Sequence, residues 1–264
     1  MNTLAKKQIC GDPKIWKDPP GAIMYCPGCQ HPVIHRIIAE VLEDLEIAGK
    51  AICMGGVGCH SFAQVSWDID YNLCAHGRAL DAGTAVKRLN PEAIVFSVQG
   101  DGDCTAIGAG GFINAMTRGE NLTTIMYNNT NYGTTGGQLA PTTLVGQKTS
   151  TTPKGRNPET EGYPLHAAEL AATFKGTVYS ARGSVHSPAV FQRTKKYIKT
   201  AFQKQINGPG YSFVEVLTAC PPNWHMSPVE SVKRIENEVV NEFPLGEFKN
   251  ISDPQSRNKR EQNI

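Results

Sequence analysis

The sequence predicts an α/β fold, a mostly parallel sheet with helices on both faces, and two observations carry that reading. Short apolar runs that look like buried strands, Ala93 to Val98, Leu122 to Tyr127 and Tyr211 to Leu217, alternate with segments of helical periodicity. The chain, 264 residues at 40% hydrophobic, can also bury a full core around such a sheet as a single domain spanning residues 1–264.

Residues 1–25, rich in Pro, Gly and Lys, read as an extended lead-in. After Pro32, suited to a first helical turn, Ile34, Ile37, Ile38, Val41, Leu42 and Leu45 recur at helical spacing. A short apolar run at Ala51 to Met54 follows with a Gly-rich turn, then a helix from Arg78 to Leu89. The strand Ala93 to Val98 ends in GDGD, and the next helix carries Ile107, Phe112, Ile113 and Met116. Past the strand Leu122 to Tyr127, residues 128–163 read as one long loop, and a loop that long inside a compact domain is usually functional. Pro164 to Phe174 reads as helix, Gly176 to Ser180 as strand, and Ser187 to Gln203 as helix, with Ser187 as N-cap and Pro188 at its first position. The strand Tyr211 to Leu217 then delivers Cys220 just past its end. From about residue 252 the polar tail SDPQSRNKREQNI reads as disordered.

The formal net charge is +2 with basic residues scattered, which gives nucleic acid no stripe to bind. No apolar run approaches the roughly 20 residues that cross a bilayer, and the N-terminus has a basic start with no hydrophobic segment behind it. A cytoplasmic chain away from membranes is expected. Eight cysteines in a reducing compartment point to metal or redox use rather than a disulfide framework.

Gly100, Asp101, Gly102 and Asp103 fall where a strand ends and a helix begins, the place where open parallel sheets bind ligands and where backbone N–H groups favour phosphate. A carboxylate beside a diphosphate needs a cation between them, and Mg2+ takes hard oxygen ligands together with phosphate oxygens. Alone, GDGD is more often an ordinary turn. It is followed after a helix and a strand by Asn128 and Asn129 in NNTNYGTTGGQ, a second set of oxygen donors on a neighbouring strand.

GDG followed at this distance by NN resembles the signature of thiamine diphosphate enzymes, and so implies their diphosphate-binding half-fold. The resemblance implies Mg2+ held by the Asp101 carboxylate, the Asn129 side-chain oxygen and the Asn131 backbone carbonyl. Four further pieces, CPGC at 26–29, GGVGC at 55–59, HGRA at 76–79 and TACPP at 218–222, narrow it. Together, over about residues 20–225, they closely resemble the thiamine-binding β subunit of the 2-oxoacid:ferredoxin oxidoreductases. In that family four cysteines bind a 4Fe-4S cluster, and the matching positions are Cys26, Cys29, Cys59 and Cys220. Spacing alone leaves zinc equally open. Cys10, Cys53, Cys74 and Cys104 match no ligand position and read as small hydrophobes.

The resemblance further places thiamine contacts at Val57, Gly58, Cys59, His60, His76, Gly77, Arg78, Gly102, Asp103, Gly133 and Thr134. His76 and Arg78 are its catalytic candidates, because an imidazole and a cation would stabilise the diphosphate and the substrate carboxylate; a solvated His-Gly-Arg is the plain alternative. The activity implied is CoA-dependent oxidative decarboxylation of a 2-oxoacid to acyl-CoA and CO2, with one-electron transfer through the cluster to ferredoxin. Only the diphosphate half is found, so an α subunit with the pyrimidine half is expected, with γ and ferredoxin-like δ subunits. No Lys or Arg lies between Lys50 and Arg78. Phe62, Val65 and Trp67 follow the third cysteine, where the resemblance places the substrate pocket, which favours an apolar branched-chain acid such as 2-oxoisovalerate over 2-oxoglutarate or pyruvate. A subunit of a non-oxidative thiamine decarboxylase leaves the cysteines idle, and a zinc-stabilised interaction module leaves the magnesium set unexplained.

Overall fold

A computed structural model describes residues 13–17 and 24–252; most of the predicted lead-in and the tail from residue 253 lie outside the described residues. Seven strands form one sheet in the order β2-β1-β3-β4-β6-β5-β7. They are β1 (Ala51–Gly55), β2 (Asp70–Leu73), β3 (Ile94–Gly100), β4 (Thr123–Asn128), β5 (Thr177–Ser184), β6 (Tyr211–Leu217) and β7 (Gly246–Asn250). Every pairing is parallel except that of β5 with β7. The central strands are buried along nearly their whole length, as expected of parallel strands covered on both faces.

Successive side chains point to opposite faces. Phe96, Val98, Ile125, Tyr127, Val214 and Val216 pack on one face against helices α1 (His31–Asp44) and α6 (Pro188–Asn207). Val95, Met126 and Phe213 pack on the other against α2 (Ala79–Leu89), α3 (Ala109–Arg118) and α5 (Ala167–Thr173), with the short α4 (Pro158–Glu161) preceding α5. The N-cap of α6 is as the sequence indicates, Ser187 Oγ accepting from Val190 N. The helix after GDGD is divided: residues Asp103–Ile107 take the wider π spacing before α3 begins, a feature common at functional sites.

Two strands and a helical segment escaped the sequence reading. β2, with sequence DYNL, is an edge strand with three of its four residues exposed, so it has no apolar run to announce it. β7 is likewise half-exposed at the opposite edge. Past β6 come α7 (Pro221–Trp224) and α8 (Pro228–Arg234), the latter opened by a reciprocal capping box between Ser227 and Glu230, and α9 (Val240–Glu242). Among the described residues no helix is long and apolar enough to cross a membrane.

Candidate functional site

Because β1, β2, β3, β4 and β6 run parallel, the loops leaving their carboxyl ends converge on one edge of the sheet. A cavity there is lined by Val57, Gly58, Cys59, His60 and His76 from the loops after β1 and β2. Asp101, Gly102, Asp103, Asn129, Asn131, Gly133 and Thr134 line it from the loops after β3 and β4. Arg78 is outside this lining: its guanidinium is exposed and pairs with Asp81 at 3.2 Å. Gly77 contributes its backbone N–H to Asp103 at 2.8 Å.

Asp101 is 2% exposed. Its Oδ1 accepts from Gly102 N at 2.9 Å and its Oδ2 from the Thr142 hydroxyl at 2.5 Å. Burial raises its pKa to about 7 against the opposing pull of those bonds. A cation would remove that penalty. Asp103 instead serves the protein: its carboxylate accepts from Val57 N at 3.2 Å, Gly77 N, Gln99 Nε2 at 2.9 Å and His76 Nδ1. It thereby pins the loops after β1 and β2 to the GDGD turn.

The two asparagines differ in duty. Asn128 Nδ2 donates to buried Glu215 at 2.6 Å, and its Oδ1 accepts from Thr130 N. Thr130 has a left-handed backbone, φ 59°, rare for a β-branched residue. Its carbonyl is held by the Thr143 hydroxyl at 2.7 Å and Gln147 Nε2 at 3.1 Å. This kink presents Asn129 and Asn131 to the cavity, where both amide atoms of Asn131 are buried without a protein partner. His60 Nε2 is likewise buried without a hydrogen-bond partner, 3.8 Å from Asp103 Oδ2. Buried polar atoms are nearly always satisfied, so these orphans, with the acidic and amide oxygens beside them, fit a polar cofactor and its cation.

The long loop supports the kink through Arg156, 5% exposed, whose guanidinium donates to the carbonyls of Pro141, Thr143, Glu161, Gly162 and Tyr163. The loop is ordered as a scaffold for the site, with Thr142 and Thr143 as its working ends.

The four cysteines indicated by the sequence come to one neighbourhood beside the cavity, where Cys29 is influenced by Cys26, Cys59 and Cys220. Burial pushes the Cys29 thiol up to about 12, with the other three thiols adding to it, and burial also raises Cys59 and Cys220. Thiolates here therefore need a compensating positive charge. Among the described residues no three His, Cys, Asp or Glu side chains are drawn closely enough to hold a single metal ion; a four-iron cube, with one thiolate per iron, takes a wider set. Gly28 of the CPGC turn has φ 81° and packs on Pro228, which a Cβ would meet at 2.6 Å. Cys53, Cys74 and Cys104 are buried apart from the set, and no disulfide forms among the described residues.

Some expectations change. Trp67 does not shape a substrate pocket: it is 1% exposed, in the core, with its indole N–H donated to His35 O. Phe62 lies edge-on against Tyr25, and neither it nor Val65 lines the cavity. Conversely the sequence reading missed His31, Tyr127 and Tyr132 in the lining, Gln99 beneath Asp103, and Thr142. Only His31 had a signal, its position two residues past the CxxC.

Residues 56–216 match the family model described as thiamine pyrophosphate enzyme, C-terminal TPP binding domain. The ketoisovalerate oxidoreductase subunit VorA of Methanothermobacter thermautotrophicus is 42% identical over 233 residues, 88% of this chain but 49% of that protein. The chain thus spans about half the length of that relative. The 2-oxoglutarate synthase subunit KorB of Methanocaldococcus jannaschii is 31% identical and covered over 89% of its length, with 88% of this chain. The 2-oxoglutarate:ferredoxin oxidoreductase of Magnetococcus marinus, solved with 2-oxoglutarate, coenzyme A and succinyl-CoA bound, shares the fold at a TM-score of 0.77 and 24% identity, over 98% of this chain and 92% of that one. With a thiamine-binding domain matched over most of the sheet and relatives of one kind along nearly the whole chain, this protein belongs to the thiamine diphosphate-binding subunits of the 2-oxoacid:ferredoxin oxidoreductase family.

Proposed function

We propose that the chain is the β subunit of an enzyme that converts a branched-chain 2-oxoacid, coenzyme A and oxidised ferredoxin to acyl-CoA, CO2 and reduced ferredoxin. The observation that carries this reading is at Gly133, where a Cβ would lie 3.2 Å from Asn129 Nδ2 and 3.4 Å from Cys59 Sγ. The magnesium–diphosphate donor set and the thiol set share one wall.

Asp101, the Asn129 side chain and the Asn131 carbonyl would hold Mg2+, with His76 and the N–H groups after GDG toward the diphosphate. Cys26, Cys29, Cys59 and Cys220 would hold a 4Fe-4S cluster. Bound thiamine diphosphate supplies an electron sink for decarboxylation, and the cluster one-electron redox capacity. The chain's own work is positional. Thr142 orients Asp101, Asp103 fixes the His76 ring through Nδ1, and the Thr130 kink aims the amides.

The single domain of residues 1–264 is half of a thiamine site. An α subunit carrying the pyrimidine half completes it, γ and ferredoxin-like δ subunits complete the complex, and the assembly works in the cytoplasm. The branched-chain substrate is supported by the ketoisovalerate relatives at 40 and 42% identity, against 34% or less for the 2-oxoglutarate ones. The stretch without Lys or Arg from residue 51 to 77 agrees, since a second carboxylate would want a cation. The test is ferredoxin or viologen reduction by the assembled complex with 2-oxoisovalerate, pyruvate and 2-oxoglutarate in turn. Preference for 2-oxoisovalerate is expected, with no turnover by this chain alone. Preference for 2-oxoglutarate would reject the substrate, and thiamine-dependent decarboxylation without electron transfer would reject the oxidoreductase.

A further inference from the structure

Three of the four thiols near the cavity each lie within hydrogen-bond distance of a side chain able to donate, each from a different element. His31 Nδ1, at the start of α1, lies 3.2 Å from Cys29 Sγ. The Thr134 hydroxyl, past the metal loop, lies 2.9 Å from Cys59 Sγ. Asn223 Nδ2, in α7, lies 3.3 Å from Cys220 Sγ and also donates to Gly133 O at 2.9 Å. His31 and Thr134 themselves line the cavity, and Asn223 is tied to a glycine that does. His31 is 2% exposed and its ring lies 5.1 Å from that of Tyr127, so its direction is fixed by packing.

We infer that His31, Thr134 and Asn223 form a set of hydrogen-bond donors to the cluster thiolates that raises the cluster's reduction potential and couples it mechanically to the cofactor cavity. The inference rests on the cluster reading given above. Each N–H or O–H places positive charge against a sulfur, and the reduced cluster carries more negative charge than the oxidised one, so donors stabilise the reduced state. No change of protonation is involved: against a thiolate, which can only accept, the neutral imidazole would donate from Nδ1, the hydroxyl from Oγ1 and the amide from Nδ2. Thr134 both lines the cavity and sets its hydroxyl 2.9 Å from Cys59 Sγ. These are positioning residues. They act on the sulfurs and through them on the electron acceptor of the reaction.

The test uses the complex purified anaerobically with its partner subunits. Iron and acid-labile sulfide are measured first, then the midpoint potential of this cluster by EPR-monitored titration. Thr134→Val, His31→Phe and Asn223→Leu should each keep the iron and shift the midpoint to lower potential, the shifts adding because the sulfurs differ, and Thr134→Ser should restore the wild-type value. Where a variant loses its cluster, pulsed EPR on the wild type in H2O and D2O reads the same bonds, as exchangeable protons coupled to the reduced cluster. Unchanged potentials with full iron, or no exchangeable coupling, would overturn the inference while leaving the cluster in place. A wild-type complex without this cluster's iron would overturn the cluster reading and this inference together.

Discussion

The Gln30 side-chain oxygen accepts a hydrogen bond from the backbone N–H of Ala219 at 3.1 Å, across 189 positions of sequence. Gln30 follows the CPGC turn directly and Ala219 precedes Cys220, so this bond sets the spacing between the first two cysteines and the last. Gln30 is 8% exposed. Replacing it by Leu leaves the Ala219 N–H buried without an acceptor, which costs about 1–3 kcal/mol. Gln30→Leu should lower the denaturation midpoint and the iron content of the complex together, and Gln30→Glu should retain more of both. Full iron in Gln30→Leu would show that Pro228 against Gly28 holds the turn without help.

Arg182 is buried in the sheet. It pairs with Glu215 at 2.8 Å and with both oxygens of Glu169, and it is flanked by the rings of Phe243 and Phe248 at 5.2 and 5.1 Å. Its removal strands Glu215, which is fully buried and also holds Asn128. Arg182→Met should cost about 3–5 kcal/mol, and adding Glu215→Gln should recover a good part of that loss in a double-mutant cycle. Additive losses in urea unfolding would mean that the two side chains are not coupled.

Much of the fold was legible because the central strands are long buried apolar runs and the helices have one apolar face. The edges were not: DYNL is mostly exposed and GEFKN half-exposed, and they become strands only through neighbours distant in sequence. The site followed the same division. Asp101, Asn129 and the four cysteines sit in recognisable short motifs, whereas Gln30, Thr142 and Arg156 act through contacts 189, 41 and up to 15 residues away that no local pattern marks. Asp103 lines the cavity, and the further groups that occupy its carboxylate come from the loops after β1 and β2 and from Gln99 on β3, contacts that the GDGD motif alone does not mark.

The asparagine pair should separate cleanly. Asn129 lines the cavity and its Oδ1 accepts from Asn131 N at 3.3 Å, while Asn128 satisfies both Glu215 and the Thr130 turn. Asn129→Ala loses only the long bond from Asn131 N, so it should destabilise the complex less than Asn128→Ala and weaken Mg2+-dependent thiamine diphosphate binding at least tenfold, about 1.4 kcal/mol or more. Asn128→Ala should instead destabilise by about 1–3 kcal/mol, because a buried carboxylate oxygen loses its donor. Calorimetric titration with unfolding curves distinguishes them, and the reverse pattern would move the metal ligand to Asn128.

Acid should destabilise the protein through its buried histidines, His35 being the cleanest case. It is fully buried, with Tyr25 Oη at 2.5 Å from Nε2 and Tyr127 Oη at 2.9 Å from Nδ1. Burial, with His31 and His60 nearby, holds its pKa well below the ordinary value. The unfolded chain takes up a proton near pH ~6.5 that the folded one refuses, so the stability it contributes is complete above that pH and falls as pH drops toward the folded pKa. One such group contributes a slope of up to about 1.4 kcal/mol per pH unit. His35→Gln should be less stable than wild type near pH ~8, where its tyrosine partners are imperfectly matched, yet lose stability less steeply between about pH 6.5 and 5. Parallel wild-type and variant curves of unfolding free energy against pH would assign the acid sensitivity to other groups.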